Sequence, residues 1–402
     1  MATTVSTFGP TAASEARGHS STLTAEWPIY SVVFASTCIV VGLMWDISWH
    51  RTIGRDTFFT PPHVLEQIAA IVAGLTCGYV VLKTTFAGSP EARAISVRYW
   101  RFFQGPLGAW VTIWATFTMI TSAPLDDWWH NAYGLDVKIL SPPHLVLAAG
   151  MIGIEIGAML LVLGAQNRSA SERDRRRLGL ILAYAAAIVI AMALVIFQGE
   201  ASTANQMHSS GFYKITAIVL PIYLVAFARS SRLKWAATAT ALFYMVFVLV
   251  NLWVIQLFPA QARLAPIYNP VTHMVPAPFP LLLVFPAICI DLLLQRFGND
   301  RDWITAIAIG VSFVGVMLAA HWFWAEFLLS PHARNNFFAA DKWDYNNRLG
   351  PWRYEFWNLD HDANRKFSPL RLALGIGMAM IYGTISARIG LWWGKGMALI
   401  KR

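Results

Sequence analysis

Two polar stretches with the same layout interrupt an otherwise apolar sequence. In the first stretch Asp46 and His50 stand four residues apart, and His63 follows two consecutive prolines. Residues four apart on a helix share one face, so Asp46 and His50 can point toward one centre. Two imidazoles and a carboxylate are a common ligand set for a late first-row transition metal. These residue types and their spacing therefore predict a metal site formed by Asp46, His50 and His63.

The second stretch repeats this order of residues later in the chain. Asp126 and His130 are again four residues apart, and His144 again follows two prolines. A proline pair pre-sets the first turn of a helix, which would bring the last histidine back toward the first two ligands. The repeat predicts a second metal site, formed by Asp126, His130 and His144.

Three further carboxylates are placed to support these ligands. Each loop contains a Gly-x-Asp, which ends at Asp56 in the first stretch and at Asp136 in the second. Carboxylates behind metal-bound histidines commonly fix the orientation of the imidazole rings, and we expect this role for both aspartates. Glu66 lies three residues after His63, on the same helical face, and is expected to play a similar part.

A structural explanation of the two stretches stays open at this point. The tryptophans at positions 45, 49, 128 and 129 can form an aromatic belt at a membrane–water interface. His50 and His130 would then be ordinary interface residues. The matched order of Asp, His, Gly, Asp, Pro-Pro and His in two copies favours metal binding, although duplication can also preserve a purely structural loop.

The composition identifies the class of protein that must position these residues. Of 402 residues, 56% are hydrophobic and 13% are charged, and the mean hydropathy is +0.49. Soluble domains carry about a quarter charged residues, so the composition predicts an all-α polytopic membrane protein. The net charge of +9 is explained by Lys and Arg in cytoplasmic loops, and nucleic acid is not expected as a partner. The three cysteines lie in apolar runs and predict no disulfide framework.

About ten transmembrane helices are expected, because a helix needs about twenty apolar residues to cross the hydrocarbon core. Residues 1–27 are expected to form a disordered cytoplasmic tail, 28–165 a duplicated metal-binding unit, and 166–402 a transmembrane scaffold with an external aromatic loop at 331–369. The predicted spans begin near Ile29, Val64, Gly105, Leu145, Leu178, Phe212, Trp235, Val275, Ile304 and Leu370.

The distribution of Lys and Arg predicts the orientation. With ten spans, five basic clusters fall on one side, which the positive-inside rule makes the cytoplasm. Both copies of the polar stretch would then lie on the external, periplasmic face of the cell inner membrane. Glu155 falls inside the fourth predicted span, where an ionisable group is costly and indicates either a function or a protonated carboxyl bonded to a neighbouring helix.

The first stretch also resembles a known family. Its residues match in order and spacing the copper-site segment in one of the membrane subunits of the membrane-bound (particulate) methane and ammonia monooxygenases. The second stretch is similar to a further site of that family, with Asp126 where the family has Asn. The resemblance covers roughly the N-terminal third. The matching residues of the first stretch are Asp46, Trp49, His50, Arg55, Asp56, Thr57, Pro61, His63 and Glu66.

The resemblance implies copper as the metal, and a membrane monooxygenase, or a subunit of one, that oxidises a small hydrophobic substrate with dioxygen. It also implies other monooxygenase subunits and a quinol or redox donor as partners. Two alternatives stay open from the sequence. One is a protein that takes up or handles copper without catalysis, and the other is histidine ligation of haem.

Overall fold

The computed structural model describes residues 26–54, 59–134, 141–197, 210–261, 272–297, 301–342 and 369–401. Asp56 and Asp136 lie outside these residues, as do Arg55 and Thr57. The predicted tail, apart from its last two residues, and positions 343–368 of the predicted external loop also lie outside them.

The N-terminal half consists of two long helical hairpins joined by a small β-hairpin. The two long connections that carry the polar stretches follow α1 and α4. The elements are α1 (Trp27–Thr52), α2 (Pro61–Ala87), α3 (Pro90–Ala94), β1 (Val97–Tyr99), β2 (Phe103–Gly105), α4 (Leu107–Tyr133) and α5 (Pro142–Arg168), and the two strands pair antiparallel.

The C-terminal half adds further helices and one 3₁₀ turn. They are α6 (Glu172–Ile196), α7 (Ser210–Ser230), α8 (Ala236–Ile255), α9 (Val284–Phe297), α10 (Asp302–Leu329), the turn Pro331–Ala333, and α11 (Pro369–Met397). The predicted all-α polytopic membrane fold is confirmed.

Eight of the described helices are long and apolar enough to cross a membrane. The ten predicted spans each correspond to a helix, and the two outside this set are α4 and α9. Helix α4 contains Pro124 and ends in the polar DDWWHNAY. Helix α9 has only 14 residues. Prolines at 276, 278 and 280 lack the backbone N–H that a helix needs, so the chain before α9 is extended.

The four long helices of the N-terminal half form one bundle. Helix α1 packs on α2, α2 on α4, α4 on α5 and α5 back on α1. Small residues permit close approach of the backbones, as is common between membrane helices: Gly150 of α5 faces Met119 of α4, and Gly157 faces Thr112. Because the hairpins are antiparallel and α2 meets the β-hairpin at its C-terminal end, both polar stretches lie at the same end of the bundle.

Helices α7, α10 and α11 form a second group, and α6, α8 and α9 connect it to the first. Pro221 interrupts the hydrogen bonding of α7, and Ser386 of α11 fills the gap there. Its Oγ donates to Ile218 O (2.8 Å) and accepts from Ile222 N (2.9 Å). These two hydrogen bonds fix α7 against α11 next to Pro221.

Candidate metal centre

The first candidate site lies where the end of α1 meets the start of α2. Asp46 and His50 occupy the last two turns of α1, and His63 occupies the first turn of α2. Pro61 and Pro62 open α2 after the extended Thr60, as the Pro-Pro pair predicts. The two helix ends thus bring His63 back to the face of α1 that carries Asp46 and His50.

All three predicted ligands of the first copy meet at one carboxylate oxygen. Asp46 Oδ1 lies 3.2 Å from His63 Nε2 and 3.7 Å from His50 Nε2. Two donors that are each about 2.0–2.1 Å from a tetrahedral ion are about 3.3 Å apart. The distances between these pairs are therefore compatible with a shared cation.

The carboxylate oxygen at the centre of this group is buried and makes no hydrogen bond within the described part of the chain. The imidazole nitrogens are close to it, yet neither approach has hydrogen-bond geometry. A buried carboxylate oxygen without a hydrogen bond is costly. A cation bound at this oxygen would satisfy it, so the chemistry of the donors suits a metal.

Glu66 lies close to this site, one helical turn beyond His63. It is buried at 2% exposure and packs against Gly42, one turn before Asp46 on α1. A Cβ added at Gly42 would lie 2.5 Å from Glu66 Cγ. Because Gly42 has no side chain, it leaves space for the Glu66 side chain close to Asp46 and His63.

The second copy brings two of its three predicted ligands together. His130 Nε2 lies 3.4 Å from Asp126 Oδ1, and this oxygen too is buried without a hydrogen bond among the described residues. His130 Nδ1 is 3.3 Å from Gly134 O, where the backbone turns at a φ of +85° that favours glycine. His144 Nδ1 is instead 2.8 Å from the hydroxyl of Ser141.

The two copies also differ around the ligands. Leu147 stands three residues after His144, at the position of Glu66, and Ser122 stands four residues before Asp126, at the position of Gly42. The second copy thus lacks the buried acid of the first. The first copy is the more complete candidate.

Among the residues that the structure describes, no group of three His, Cys, Asp or Glu side chains is arranged so that one ion could contact all three. The short distances are pairwise, each joining one imidazole to Asp46 Oδ1. Binding of one ion by all three groups therefore requires these side chains to rearrange around this oxygen.

The tryptophans beside the two sites have different surroundings. Trp45 and Trp49 are half-buried and pack on a small cluster of Ile255, Ala260 and Met274. Trp128 is 55% exposed, and the Trp129 ring packs on Tyr133. An aromatic belt therefore describes the second copy better than the first.

Two hydroxyl residues near the first site were not predicted from the sequence. Ser48 Oγ donates to Val275 O, and Thr52 Oγ1 accepts from Val275 N (2.8 Å). They hold the extended segment before α9 against the last turns of α1, between the ligand positions. The spacing of four residues places Ser48 and Thr52 on one helix face, but nothing local identifies their distant partner.

A mostly apolar cleft lies on the other side of the same helix end. It encloses about 570 Å³ of empty space, part of it open to the surroundings. Met44 and Ile47 of α1 line it, together with residues of α6, α8 and the segment 277–281. Tyr244 and Arg51 are the polar residues of its wall.

Comparison of this chain with protein-family models, with curated proteins and with solved structures finds no match. The resemblance to the copper-site segment of the monooxygenases therefore rests on the residues of the two polar stretches. The function is argued below from the site itself.

Proposed function

We propose that this chain is an integral membrane protein that binds copper through Asp46, His50 and His63. The observation that carries the proposal is the buried Asp46 Oδ1, which has two imidazole nitrogens beside it and no hydrogen bond in the described structure. The Asp126–His130 pair repeats this geometry and supports a second, less complete site with His144. Asp56, Glu66 and Asp136 are proposed to support the ligands.

Copper is favoured over other metals by the resemblance to the monooxygenase segment. Imidazole and carboxylate ligands suit several divalent ions, so the donor set alone does not choose among them. When bound at such a site, copper supplies the redox chemistry needed to activate dioxygen. The role of the chain's own residues is to hold the ion and to keep the surrounding space apolar.

The proposed activity is that of a membrane copper monooxygenase, or of a subunit of one, acting on a small hydrophobic substrate. The cleft lined by Met44 and Ile47 supports this, because it lies on the helix that carries Asp46 and His50 and is mostly apolar. Such pockets typically bind apolar molecules with a few polar groups for orientation. Other monooxygenase subunits and a quinol or redox donor are the proposed partners.

Metal analysis of purified protein tests the binding part. Wild-type protein loaded with copper and washed with a weak chelator is expected to retain copper. The double variant His50→Ala/His63→Ala is expected to lose the ion of the first site, and His130→Ala/His144→Ala any ion of the second. Equal copper in all three proteins would refute both sites.

Oxygen uptake tests the catalytic part. We expect copper-dependent oxygen consumption in membranes that contain the protein, a reductant and a small alkane or alkene, with the oxygenated product detected by mass spectrometry. Copper binding without any such turnover in the assembled complex would refute the proposed monooxygenase activity but not the proposed metal site.

Copper handling without catalysis is the second candidate. It is favoured by Met274, which is buried in the cluster of Trp45 and Trp49 next to the ligand helix, since thioethers suit Cu(I). A Cu(I) flux assay in liposomes separates the two functions. Flux that needs Met274 and occurs without oxygen consumption would favour handling.

A further inference from the structure

An ionisable side chain lies in the middle of a membrane helix, away from both polar stretches. Glu155 is at the midpoint of α5 (Pro142–Arg168), so about 20 Å of helix separates it from either end. It is buried, and neither of its carboxyl oxygens makes a hydrogen bond within the described part of the chain. An ionised carboxylate in such surroundings is very costly unless a cation lies beside it. The group therefore either carries a proton or binds a cation.

Two methionines flank Glu155 on the same face of α5. Met151 is one turn before it and Met159 one turn after it, and both are buried. Residues four apart on a helix are neighbours, with Cβ atoms about 5–6 Å apart. Long side chains on a helix lean toward its N-terminus, so the thioether of Met159 is expected to extend toward Glu155, and the Glu155 carboxyl toward Met151. One carboxylate and thioether sulfur can thus contact the same small ion.

This face of α5 is separate from the face that packs on α4. The glycines of α5 make its close contacts with α4, and the helical period places Glu155 on the opposite side. The phenol of Tyr223, on α7, is near enough to interact with the charge of Glu155, but it gives the carboxyl no hydrogen bond. An ion bound beside Glu155 would be enclosed by the protein and not by lipid.

The donor atoms indicate the class of ion. Thioethers are soft ligands, which suit Cu(I) better than the hard ions Na⁺ or Mg²⁺. A single carboxylate neutralises a monovalent ion, whereas a divalent ion would leave a net charge buried away from water. Both criteria favour a soft monovalent cation.

We infer that Glu155, Met151 and Met159 form a binding site for a soft monovalent cation, Cu(I), in the middle of the membrane. When the ion binds, the Glu155 carboxyl gives up its proton to the solvent, and the carboxylate balances the charge of the ion. The site contains none of the ligands proposed for the copper centre and does not depend on that proposal.

Titration with Ag(I), which has the same charge and ligand preference as Cu(I) without its redox chemistry, tests the inference. The full chain is used in detergent, with its three cysteines replaced by alanine and with imidazole in the buffer to mask histidine side chains. We expect this parent protein to bind Ag(I) and to melt at a higher temperature when Ag(I) is present, because a ligand of the folded state stabilises it.

Glu155→Gln removes the charge and keeps the shape of the side chain. We expect it to weaken Ag(I) binding about a hundredfold or more, since even groups behind metal ligands contribute about 10–100-fold to affinity. The melting temperature of the ion-free variant should remain close to that of the parent, which separates lost binding from lost folding. Equal Ag(I) affinity in both proteins would overturn the site.

Methionine-to-leucine changes test the thioethers, because leucine nearly conserves the volume of the side chain. Met151→Leu and Met159→Leu are each expected to weaken Ag(I) binding about tenfold or more. The matched control is Met317→Leu, which replaces a buried methionine of α10 and should bind Ag(I) like the parent. Unchanged binding in both α5 variants, or an equal loss in the control, would overturn the assignment of a soft-ion site.

Infrared difference spectroscopy provides a readout that does not depend on affinity. Ag(I) should remove the C=O stretching band of a protonated carboxyl from the parent, and Glu155→Gln should lack this change. A band that persists in the Ag(I)-bound parent would show that Glu155 keeps its proton, and it would contradict the inference without affecting the copper centre.

Discussion

At the scale of single residues, Gly42 is the position on which the first site most depends apart from its ligands. It lies one turn before Asp46 and faces Glu66, so a larger side chain at position 42 would collide with the Glu66 side chain. We expect Gly42→Ala to displace Glu66, to lower the free energy of unfolding by about 1–3 kcal/mol through overpacking, and to weaken copper binding. Thermal unfolding and a copper titration of the purified variant measure both effects.

Gly78→Ala is the matched control for this change. It is on α2, in a long helix like Gly42, and a Cβ added there meets nothing within 4 Å. Alanine should be neutral or stabilise the helix by up to about 1 kcal/mol. The account of Gly42 would be wrong if both variants bound copper and unfolded like the wild type.

Glu155 is a buried acid that the proposed site does not use. It is 2% exposed, and both of its carboxyl oxygens are buried without a hydrogen bond among the described residues. An unsatisfied buried polar group costs about 1–3 kcal/mol, so Glu155→Met is expected to raise the melting temperature of the purified protein. Glu155→Gln, of nearly the same shape, should remain close to the wild type. A large loss of stability in the Met variant would show that the carboxyl has an essential partner.

Much of the residue-scale chemistry could be predicted from spacing alone. The four-residue interval of Asp46 and His50 and the Pro-Pro before His63 are local signals, and the three side chains do meet at one oxygen. The contact of Gly42 with Glu66 could not be predicted, since it depends on how closely α1 and α2 pack against each other. The different partner of His144, the Ser141 hydroxyl, likewise depends on side-chain orientation within one turn.

At the scale of elements, the last turns of α1 support two structures on different faces. One face carries Asp46 and His50, and another carries Ser48 and Thr52, which hold the extended segment before α9. The helical turns that carry Asp46 and His50 are therefore held in place by residues that are not themselves predicted ligands.

Thr52→Val tests this arrangement. It removes the acceptor of the buried Val275 N–H, and we expect a loss of about 1–3 kcal/mol in the free energy of unfolding together with weaker copper retention. Thr118→Val, which removes only a hydroxyl bonded within its own helix at an exposed site, should change stability by no more than about 0.5 kcal/mol. Unchanged stability in both variants would show that the segment does not depend on Thr52.

The helices themselves were predictable to the extent that their signals are local. The proline pairs open α2 and α5 where expected, and the apolar runs mark eight spans. The segment before α9 was expected to begin a span near Val275, and it is extended instead. Three prolines remove its helical hydrogen bonds, and its backbone is satisfied by distant groups, including Leu282 N–H donating to His321 Nε2 (3.1 Å).

At the scale of the whole molecule, the alternation of helices places both polar stretches at one end of the N-terminal bundle. This placement was predicted from the order of the spans, because the second stretch follows the first after two further predicted crossings of the membrane. The packing of the C-terminal helices against the N-terminal bundle could not be predicted, since those contacts join residues far apart in the chain.

The predicted orientation is testable by labelling. In a chain whose native cysteines are replaced by alanine, Ala132→Cys lies beside the second polar stretch and Ala170→Cys between α5 and α6, and both positions are exposed. Positive-inside sorting predicts that an impermeant maleimide labels Ala132→Cys from the external side and Ala170→Cys only after the membrane is opened. The reverse pattern would invert the topology and place the metal centre on the cytoplasmic side.

The most direct measurement of the central claim is pulsed electron paramagnetic resonance of the Cu(II)-loaded protein. Imidazole nitrogens coordinated to Cu(II) give a characteristic modulation whose combination lines report how many rings are bound. In the variant His130→Ala/His144→Ala, which isolates the first site, we predict two coordinated imidazoles, reduced to one by a further His63→Ala substitution. A copper signal without coordinated imidazole, or one that the His63 substitution leaves unchanged, would contradict the assignment of Asp46, His50 and His63 as the ligands.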